Sequence, residues 1–375
     1  MEETDWHYPR PELAQSTLDL ISKRATNALV LFAPRRTGKT EFLLKDLAPL
    51  AEKRGHRVIY VNFWQAPVSP LAVLLNACEA ALKRGSLLER LKAIASGIKP
   101  KLKLSGPLPG SSLETEIDLS GLKGKPGADH LLYLDDLIGR LAGRRKPTII
   151  LFDEVQELAR EPDNAGLVAA LRTSLDKRRD GLAAVFTGSS RQGLQEMVST
   201  RDAPFFHFAT EIGLPELDAR FVEHMLAAFK AASKRSLNRK AAMAAFSELH
   251  ASPYFFRRFI ETMLLDPSLE ITVSLRQFRA RIAETLGYPS TWLRLSALQR
   301  AVVLALAQGA EKPFAEKTRR TIGVSADLAT PTAARVQTAL RALDRNGFVS
   351  TWQGRWQLDD PEFAAWVREH GVDAM

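Results

Sequence analysis

The sequence predicts an α/β fold in which a parallel five-stranded sheet precedes a helical segment and a C-terminal unit of helices and two short strands. Three observations lead to this prediction. Short apolar runs alternate with helical patterns through the first 212 residues, the pattern is helical from residue 216 to about 285, and two short strands lie near the C-terminus. Apolar strands separated by helices are typical of a parallel sheet covered on both faces.

Length and composition limit the class of protein. The 375 residues are enough for two or three domains. The chain is 45% hydrophobic and 25% charged, which excludes a collagen-like, coiled-coil or wholly disordered protein. A single cysteine, Cys78, excludes an intrachain disulfide framework and a cysteine-based zinc cage, and its apolar helical surroundings predict a buried thiol.

The charge and hydropathy patterns bear on partners and location. The net charge of +9 suits a nucleic acid or another polyanion, although alone it indicates only solubility and non-specific binding. No apolar run reaches the roughly 18 residues needed to span a bilayer, and no apolar core follows the acidic start. We therefore expect a cytoplasmic protein with no membrane partner and no signal peptide.

The chain divides into three predicted domains. The first, residues 1–212, contains the strands, and a segment at about 97–127, rich in Gly, Pro and Ser, predicts an insertion with a hairpin or partial disorder. The second, 213–287, is helical, and the third comprises 288–375. The five predicted strands are 27–33, 57–63, 147–153, 182–188 and 205–212.

A phosphate-binding loop is predicted at residues 33–40, APRRTGKT, between the first strand and the helical run EFLLKDLAPLAEKR. Backbone N–H groups and the helix N-terminus of such a loop hold anionic phosphate oxygens. Lys39 would reach the β and γ phosphates, the Thr40 hydroxyl would bind Mg²⁺, and Gly38 lets the backbone approach the phosphates. The alternative is a surface loop that contains Gly-Lys-Thr by chance.

The remaining loop positions complete the candidate nucleotide-binding set. Ala33 stands where the usual pattern has Gly, which is a mild change. Arg35 and Arg36 have three open interpretations: contact with phosphate, with a neighbouring subunit, or with water alone, of which the last is favoured. The loop residues predicted to bind nucleotide are Pro34, Arg35, Arg36, Thr37, Gly38, Lys39 and Thr40.

Two carboxylates end the third predicted strand, TIILFDE, in the pattern called Walker B. Asp153 would orient Mg²⁺ beside Thr40, and Glu154 would polarise the water that attacks the γ phosphate. Acidic residues also begin ordinary loops, so the prediction depends on the pairing with residues 33–40. The fourth strand ends near Thr187 and Ser189, which suit phosphate sensing, while Ser190 suits a helix N-cap.

The segments FAPRRTGKTEF, IILFDEVQEL, AVFTGSS, APFF and GLPELD together resemble the AAA+ superfamily of P-loop ATPases. More narrowly they resemble the STAND-related archaeal-type ATPases, which also occur in bacteria. The resemblance covers about residues 5–265 and implies a five-stranded sheet, a helical lid at 213–287 and ATP with Mg²⁺ as cofactors.

The resemblance also implies roles for residues outside the loop. Tyr8, Pro9 and Arg10 match the N-terminal segment that walls the adenine pocket. Arg201 matches an arginine finger, with Arg191 as second choice and a surface arginine as the alternative. In the lid, residues 251–254 (ASPY) resemble a Gly-x-Pro motif with Ala in place of Gly, and the nearby Arg257 and Arg258 match a sensing arginine poorly.

The C-terminal unit resembles a winged helix, because three helical patterns precede two short strands. In the third helical pattern, Val336, Leu340 and Leu343 share one face by their i, i+4, i+7 spacing. The opposite face carries Ala334, Thr338, Arg341 and Arg345. That face suits duplex DNA through phosphate or guanine contacts, and docking of a protein is the alternative.

These observations predict an ATP-binding and hydrolysing switch whose nucleotide state controls the C-terminal unit. Two other hypotheses remain: a DNA-binding regulator with a structural nucleotide, and an ATPase scaffold that recruits an effector protein or assembles with itself. The intact set of Lys39, Asp153 and Glu154 favours turnover.

Overall fold

The computed structural model describes residues 6–33, 36–65, 69–84, 127–143, 145–160, 162–188, 205, 208–266, 270–352 and 355–371. Its strands are β1 (Ala28–Phe32), β2 (Arg57–Asn62), β3 (Thr148–Asp153), β4 (Leu182–Gly188) and β5 (Thr210–Gly213). All neighbouring pairs are parallel, in the order β2-β3-β4-β1-β5. The predicted α/β fold with a five-stranded parallel sheet is therefore confirmed.

Helices cover both faces of this sheet. They are α1 (Pro11–Ser22), α2 (the consecutive pieces Lys39–Glu41, Phe42–Leu47 and Ala48–Lys53, the middle one π-helical), α3 (Pro70–Arg84), α4 (Ala128–Leu141), α5 (Glu157–Arg160) and α6 (Ala165–Lys177), with 3₁₀ turns at Phe63–Gln65 and Pro162–Asn164. Alternate residues of β1 face opposite sides: Leu29 and Leu31 pack with α1 and α2, and Val30 packs with α3, α4 and α6. This two-sided burial explains why the strands are almost wholly apolar.

Four of the predicted strands match the structure to within one residue at each end, and the fifth starts later than predicted. Phe205 and Phe208 lie in a turn closed by a 3.0 Å hydrogen bond from the Phe208 N–H to the Phe205 carbonyl. The Phe205 ring is buried against Phe186, with ring centroids 5.0 Å apart. Phe205 is therefore apolar because it packs into the core from a turn, and not because it belongs to β5. Cys78 is fully buried, as predicted, and the predicted hairpin within 97–127 lies outside the described residues.

Nine helices and a two-stranded ribbon follow the sheet in the described part of the chain. The first four are α7 (Ala219–Ser233), α8 (Arg239–Glu248), α9 (Pro253–Leu265) and α10 (Ile271–Thr285). Then come α11 (Tyr288–Arg294), α12 (Ala297–Ala307), α13 (Glu316–Ser325), α14 (Ala333–Arg345), the antiparallel strands β6 (Val349–Trp352) and β7 (Arg355–Leu358), and α15 (Pro361–His370). One continuous cluster of buried side chains extends from α7 to α15. The helices before residue 287 therefore pack on the helices and strands after it. The domain boundary near residue 287 stays a prediction.

Polar side chains define where several of these helices begin. Asp218, Asn238 and Ser252 each accept a hydrogen bond from a backbone N–H in the first turn of α7, α8 and α9. Ser296 and Gln299 form a reciprocal capping box at α12. Such caps satisfy N–H groups that have no partner within the helix, and each contributes about 1 kcal/mol.

The amphipathic pattern predicted for α14 is confirmed. Val336, Leu340 and Leu343 are fully buried, whereas Arg341 and Arg345 are exposed on the opposite side. None of the helices that the structure describes combines the length and apolar character needed to cross a bilayer.

Candidate nucleotide-binding site

The predicted phosphate loop leads from the end of β1 into α2. Gly38 has φ +91°, a left-handed conformation that glycine adopts without strain. Lys39 starts the helix and is 6% exposed, and its Nζ donates to the Ala33 carbonyl oxygen at 2.9 Å. A bond across the loop holds the ammonium group over the backbone that would surround a phosphate. Pro34 and Arg35 lie outside the described residues.

Asp153 lies at the carboxyl end of β3, directly beside the loop. Parallel pairing aligns β3 with β2 and β4, so polar side chains from the ends of three strands meet at one edge. The carboxylate is 1% exposed and accepts four hydrogen bonds. Its donors are the Thr40 hydroxyl at 2.7 Å, the Tyr60 hydroxyl at 2.9 Å, the Thr187 hydroxyl at 2.5 Å and the Glu154 backbone N–H at 3.1 Å.

Thr40 and Asp153 together fit a magnesium site. The hydroxyl and the carboxylate are hard oxygen ligands, and Mg²⁺ characteristically uses one or two protein oxygens together with waters and phosphate oxygens. No cluster of three or more His, Cys, Asp or Glu side chains with metal-binding geometry occurs within the described ranges.

Thr187 binds Asp153 in this structure. Its position at the end of the fourth strand suited phosphate sensing; in the structure the residue is fully buried and its hydroxyl donates to the Asp153 carboxylate. Ser189, the other predicted sensor, and Arg201 and Arg191, the predicted arginine fingers, all lie outside the described residues.

Tyr60 is a site residue that the sequence analysis missed. Its hydroxyl donates to the same Asp153 oxygen as Thr40 does, and it accepts a 3.2 Å hydrogen bond from the Asn62 amide. Burial, and next the charge of Asp153, raise the pKa of Tyr60 well above its ordinary value, so the phenol stays neutral and donating. The signal in the sequence was a tyrosine two residues before the end of β2, among the buried residues Val58, Ile59 and Val61.

We expect Tyr60→Phe to lower the free energy of unfolding by about 1.5–3 kcal/mol, the contribution of a hydrogen bond to a charged group. Chemical denaturation followed by tryptophan fluorescence measures this change. Tyr8→Phe is the matched control, because the Tyr8 hydroxyl has no hydrogen-bond partner among the described residues. Equal stabilities for the two variants would contradict the role given to Tyr60.

Glu154 adopts a left-handed backbone conformation, φ +57°, immediately after β3. Such a conformation is uncommon for residues other than glycine. Its Oε2 accepts a 2.5 Å hydrogen bond from the Gln156 amide, and the residue is 9% exposed. Glu154 lines the same cavity as Lys39 and Thr40. The strained backbone and the amide contact hold a carboxylate beside the phosphate loop.

A cavity of about 740 Å³ adjoins the loop and has the size of a small-molecule site. Its wall includes the loop residues 36–40, Glu154 and two parts of the chain that the resemblance assigned to nucleotide binding. From the N-terminal segment come Tyr8 and Arg10, while Pro9 between them is exposed. The Tyr8 ring packs edge-on against Phe221 at 5.6 Å between centroids. The Arg10 guanidinium donates to the Thr37 carbonyl at 3.0 Å, which ties the N-terminal segment to the loop.

The lid side of the cavity is formed by the start of α9. Ala251, which replaces the glycine of the motif, has φ +51°, so this position requires the left-handed conformation that favours glycine. Arg257 donates to Glu41 in α2 at 3.2 Å and to Glu261 in its own helix at 3.0 Å. An ion pair therefore links the lid to the helix that follows the phosphate loop.

His7 adds a further positive charge to the cavity wall. Its Nε2 lies 2.8 Å from the Asp46 carboxylate, and its Nδ1 lies 3.9 Å from that of Glu41. Burial alone would lower the pKa of His7, but the hydrogen bond to Asp46 and the nearby Glu41 carboxylate outweigh it and raise the pKa to about 9. The proximity of His7 in turn lowers the pKa of Glu41 to about 2. The imidazole is thus positively charged at neutral pH.

The fold is shared with known nucleotide-dependent proteins. The Walker-type ATPase PABY2304 of Pyrococcus abyssi superposes with a TM-score of 0.64 at 17% identity, over 96% of this chain and 95% of that one. The Aeropyrum pernix ORC2 protein in its ADP form gives a TM-score of 0.55 at 16% identity, over 99% and 97% of the two chains. The chain has the fold of the AAA+ P-loop ATPases.

The AAA+ fold agrees with the predicted P-loop architecture and extends over nearly the whole chain. The ADPNP–ADP complexes of the same Aeropyrum pernix protein give a TM-score of 0.53 at 15% identity, over 99% of this chain and 97% of that one. No protein-family model matches the chain, and no curated protein matches its sequence. The narrower STAND relationship and the winged-helix assignment stay predictions.

Proposed function

We propose that this chain is an ATP-binding and ATP-hydrolysing switch of the AAA+ type, with its C-terminal unit as the output. One observation carries the proposal: Lys39, Thr40, Asp153 and Glu154 meet beside a cavity that the N-terminal segment and the lid enclose. The AAA+ fold supports nucleotide binding, and the Aeropyrum pernix ORC2 protein was observed in complexes with ADP and ADPNP.

Each residue has a distinct task in the proposed reaction. Lys39 would exchange its bond to the Ala33 carbonyl for oxygens of the β and γ phosphates. Thr40 and Asp153 would hold Mg²⁺, which when bound neutralises charge on the phosphates. Glu154 would orient and deprotonate the attacking water. Tyr60 and Thr187 would keep the Asp153 carboxylate in place.

The proposal is tested by nucleotide binding and phosphate release. Titration with a fluorescent ATP analogue measures affinity, and released phosphate measures turnover, with and without Mg²⁺ and duplex DNA. Binding with turnover supports the switch. Binding without turnover supports a structural nucleotide, and the absence of both would overturn the proposal. The same proposal includes Arg201 as an arginine finger in a self-oligomer and Ser189 as a phosphate sensor. A rate of ATP turnover per chain that rises with protein concentration would support the self-oligomer.

The C-terminal unit has a basic face that favours duplex DNA as a partner. The residues from 312 to 355 include eight Lys or Arg and three Asp or Glu. Arg341 and Arg345 are exposed on α14 opposite its buried face, and neither has a carboxylate within 4 Å among the described residues. Uncompensated arginines on one exposed helix face suit phosphate contacts. A winged helix that docks a protein effector is the second candidate, favoured by the exposed apolar side chains Phe314, Val324 and Leu328 of the same unit.

We expect Arg341→Ala/Arg345→Ala to weaken duplex binding for all sequences and to reduce the salt dependence by about one unit of slope per lost phosphate contact. Fluorescence anisotropy at several salt concentrations measures both quantities. Arg24→Ala/Arg179→Ala is the matched control, because it removes the same charge from the opposite, strand-start end of the sheet. If the wild-type protein shows no salt-sensitive DNA binding with or without ATP, the protein-docking candidate replaces DNA.

A further inference from the structure

Arg36 links the phosphate loop to the C-terminal unit. Its guanidinium lies 2.7 Å from the Asp360 carboxylate, across 324 residues of sequence, and both side chains are about three-quarters buried, at 30% and 26% exposure. The same guanidinium lies over the Phe255 ring of the lid, 4.7 Å from its centroid. Arg36 also has φ +63°, which is uncommon for a residue other than glycine. One loop residue therefore contacts all three parts of the chain.

Asp360 has a structural role of its own at the start of α15. Its Oδ1 accepts from the backbone N–H groups of Glu362 and Phe363, and its Oδ2, the oxygen that binds Arg36, accepts from the Tyr288 hydroxyl at 3.0 Å. The helix cap and the arginine contact thus use different oxygens. Loss of the arginine would leave the cap intact while removing a charge-assisted bond between the loop and the unit.

The surrounding space allows Arg36 to face either of two cavities. It lines the 740 Å³ cavity beside Lys39 and Thr40, and it also lines a second cavity of about 870 Å³ that includes Asp359 and Asp360. Arg36 and Pro253 are both on the boundary between these spaces. In the structure the guanidinium points to Asp360, and rotation of the side chain would turn it towards the cavity proposed for the nucleotide phosphates.

We propose that nucleotide phosphate and the Asp360 carboxylate compete for Arg36, so that the C-terminal unit is tied to the phosphate loop when the nucleotide site is empty and is released when it fills. This inference rests on the proposed function, because it requires an anionic nucleotide in the loop. Both competitors are anions that accept charge-assisted hydrogen bonds from a guanidinium. Coupling of this kind is reciprocal: a contact that nucleotide breaks must also oppose nucleotide binding.

Asp360→Asn tests the competition. Asparagine caps helices about as well as aspartate, so α15 is retained while the charge that holds Arg36 is lost. We expect this variant to bind ADP and a non-hydrolysable ATP analogue at least about fivefold more tightly than the wild type, the lower range of measured coupling. Asp359→Asn is the matched control: Asp359 lines the same cavity and carries the same charge, but it bonds to Ser350. Isothermal titration calorimetry measures all the affinities.

A double-mutant cycle with Arg36→Gln makes the test specific. In the Arg36→Gln background, Asp360→Asn should no longer change nucleotide affinity. Hydrogen exchange gives an independent readout: nucleotide should raise exchange in residues 355–366 of the wild type and leave it unchanged in Asp360→Asn. Equal affinities for the wild type and both Asp variants would overturn the competition, and so would equal tightening in the two backgrounds. If the wild type binds nucleotide but either of these two overturning results is found, the competition for Arg36 is wrong and the proposed function stands. A wild type that binds no nucleotide overturns the competition and the proposed function together.

Discussion

Lys39→Ala is expected to abolish measurable ATP binding or to reduce ATP turnover by at least about 10²–10³-fold, the loss seen when one preorganised donor is removed from a developing negative charge. The physical reason is the position of the ammonium group. The side chain is 6% exposed and its Nζ donates to the Ala33 carbonyl, so the substitution removes a buried positive charge beside the phosphate loop. Titration with a fluorescent ATP analogue and a phosphate-release assay measure the two effects.

The fold of this variant should survive. The lost hydrogen bond to Ala33 is worth about 0.5–1.5 kcal/mol, which is small relative to the stability of a domain. Lys45→Ala is the matched control, because Lys45 lies on the same helix but is half exposed and pairs with Glu41 at the surface. Wild-type turnover in Lys39→Ala, with the folded state verified by circular dichroism, would show that the phosphate site is elsewhere.

The strands of the sheet could be predicted from the sequence because each strand is encoded by a short, continuous apolar run. The runs at 27–33, 147–153 and 182–188 predicted strands that the structure places within one residue at each end, and parallel pairing then brings their carboxyl ends to one edge. The Thr40–Asp153 contact followed from that rule. The outward face of α14 followed from helical periodicity alone.

Features that depend on strand register, or on contacts between residues far apart in the sequence, could not be predicted from local patterns. Tyr60 joins the site only because β2 pairs beside β3, with Tyr60 opposite Leu151 and Asn62 opposite Asp153. The start of β5 was misjudged because Phe205 is buried in a turn. For Arg36 the favoured prediction, water alone, was wrong, since its partner Asp360 is set by packing of the C-terminal unit against the lid.

Glu154→Gln is expected to bind ATP about as tightly as the wild type and to hydrolyse it at least about 10²-fold more slowly, the lower range for loss of a general base. The substitution keeps the size of the side chain and its place in the cavity wall. It removes only the ability to accept a proton from the attacking water. Single-turnover kinetics measure the chemical step, and gel filtration with radiolabelled ATP measures whether the variant retains unhydrolysed nucleotide.

Glu157→Gln separates this effect from a general change in local charge. Glu157 lies three residues further along, is also buried, and accepts a 3.0 Å hydrogen bond from the Trp64 indole, but it does not line the cavity. Its amide variant retains an acceptor oxygen and should turn over ATP within a few-fold of the wild type. The left-handed backbone at Glu154 and its hydrogen bond from Gln156 hold this carboxylate beside the phosphate loop. Unchanged turnover in Glu154→Gln would show that another group acts as the base.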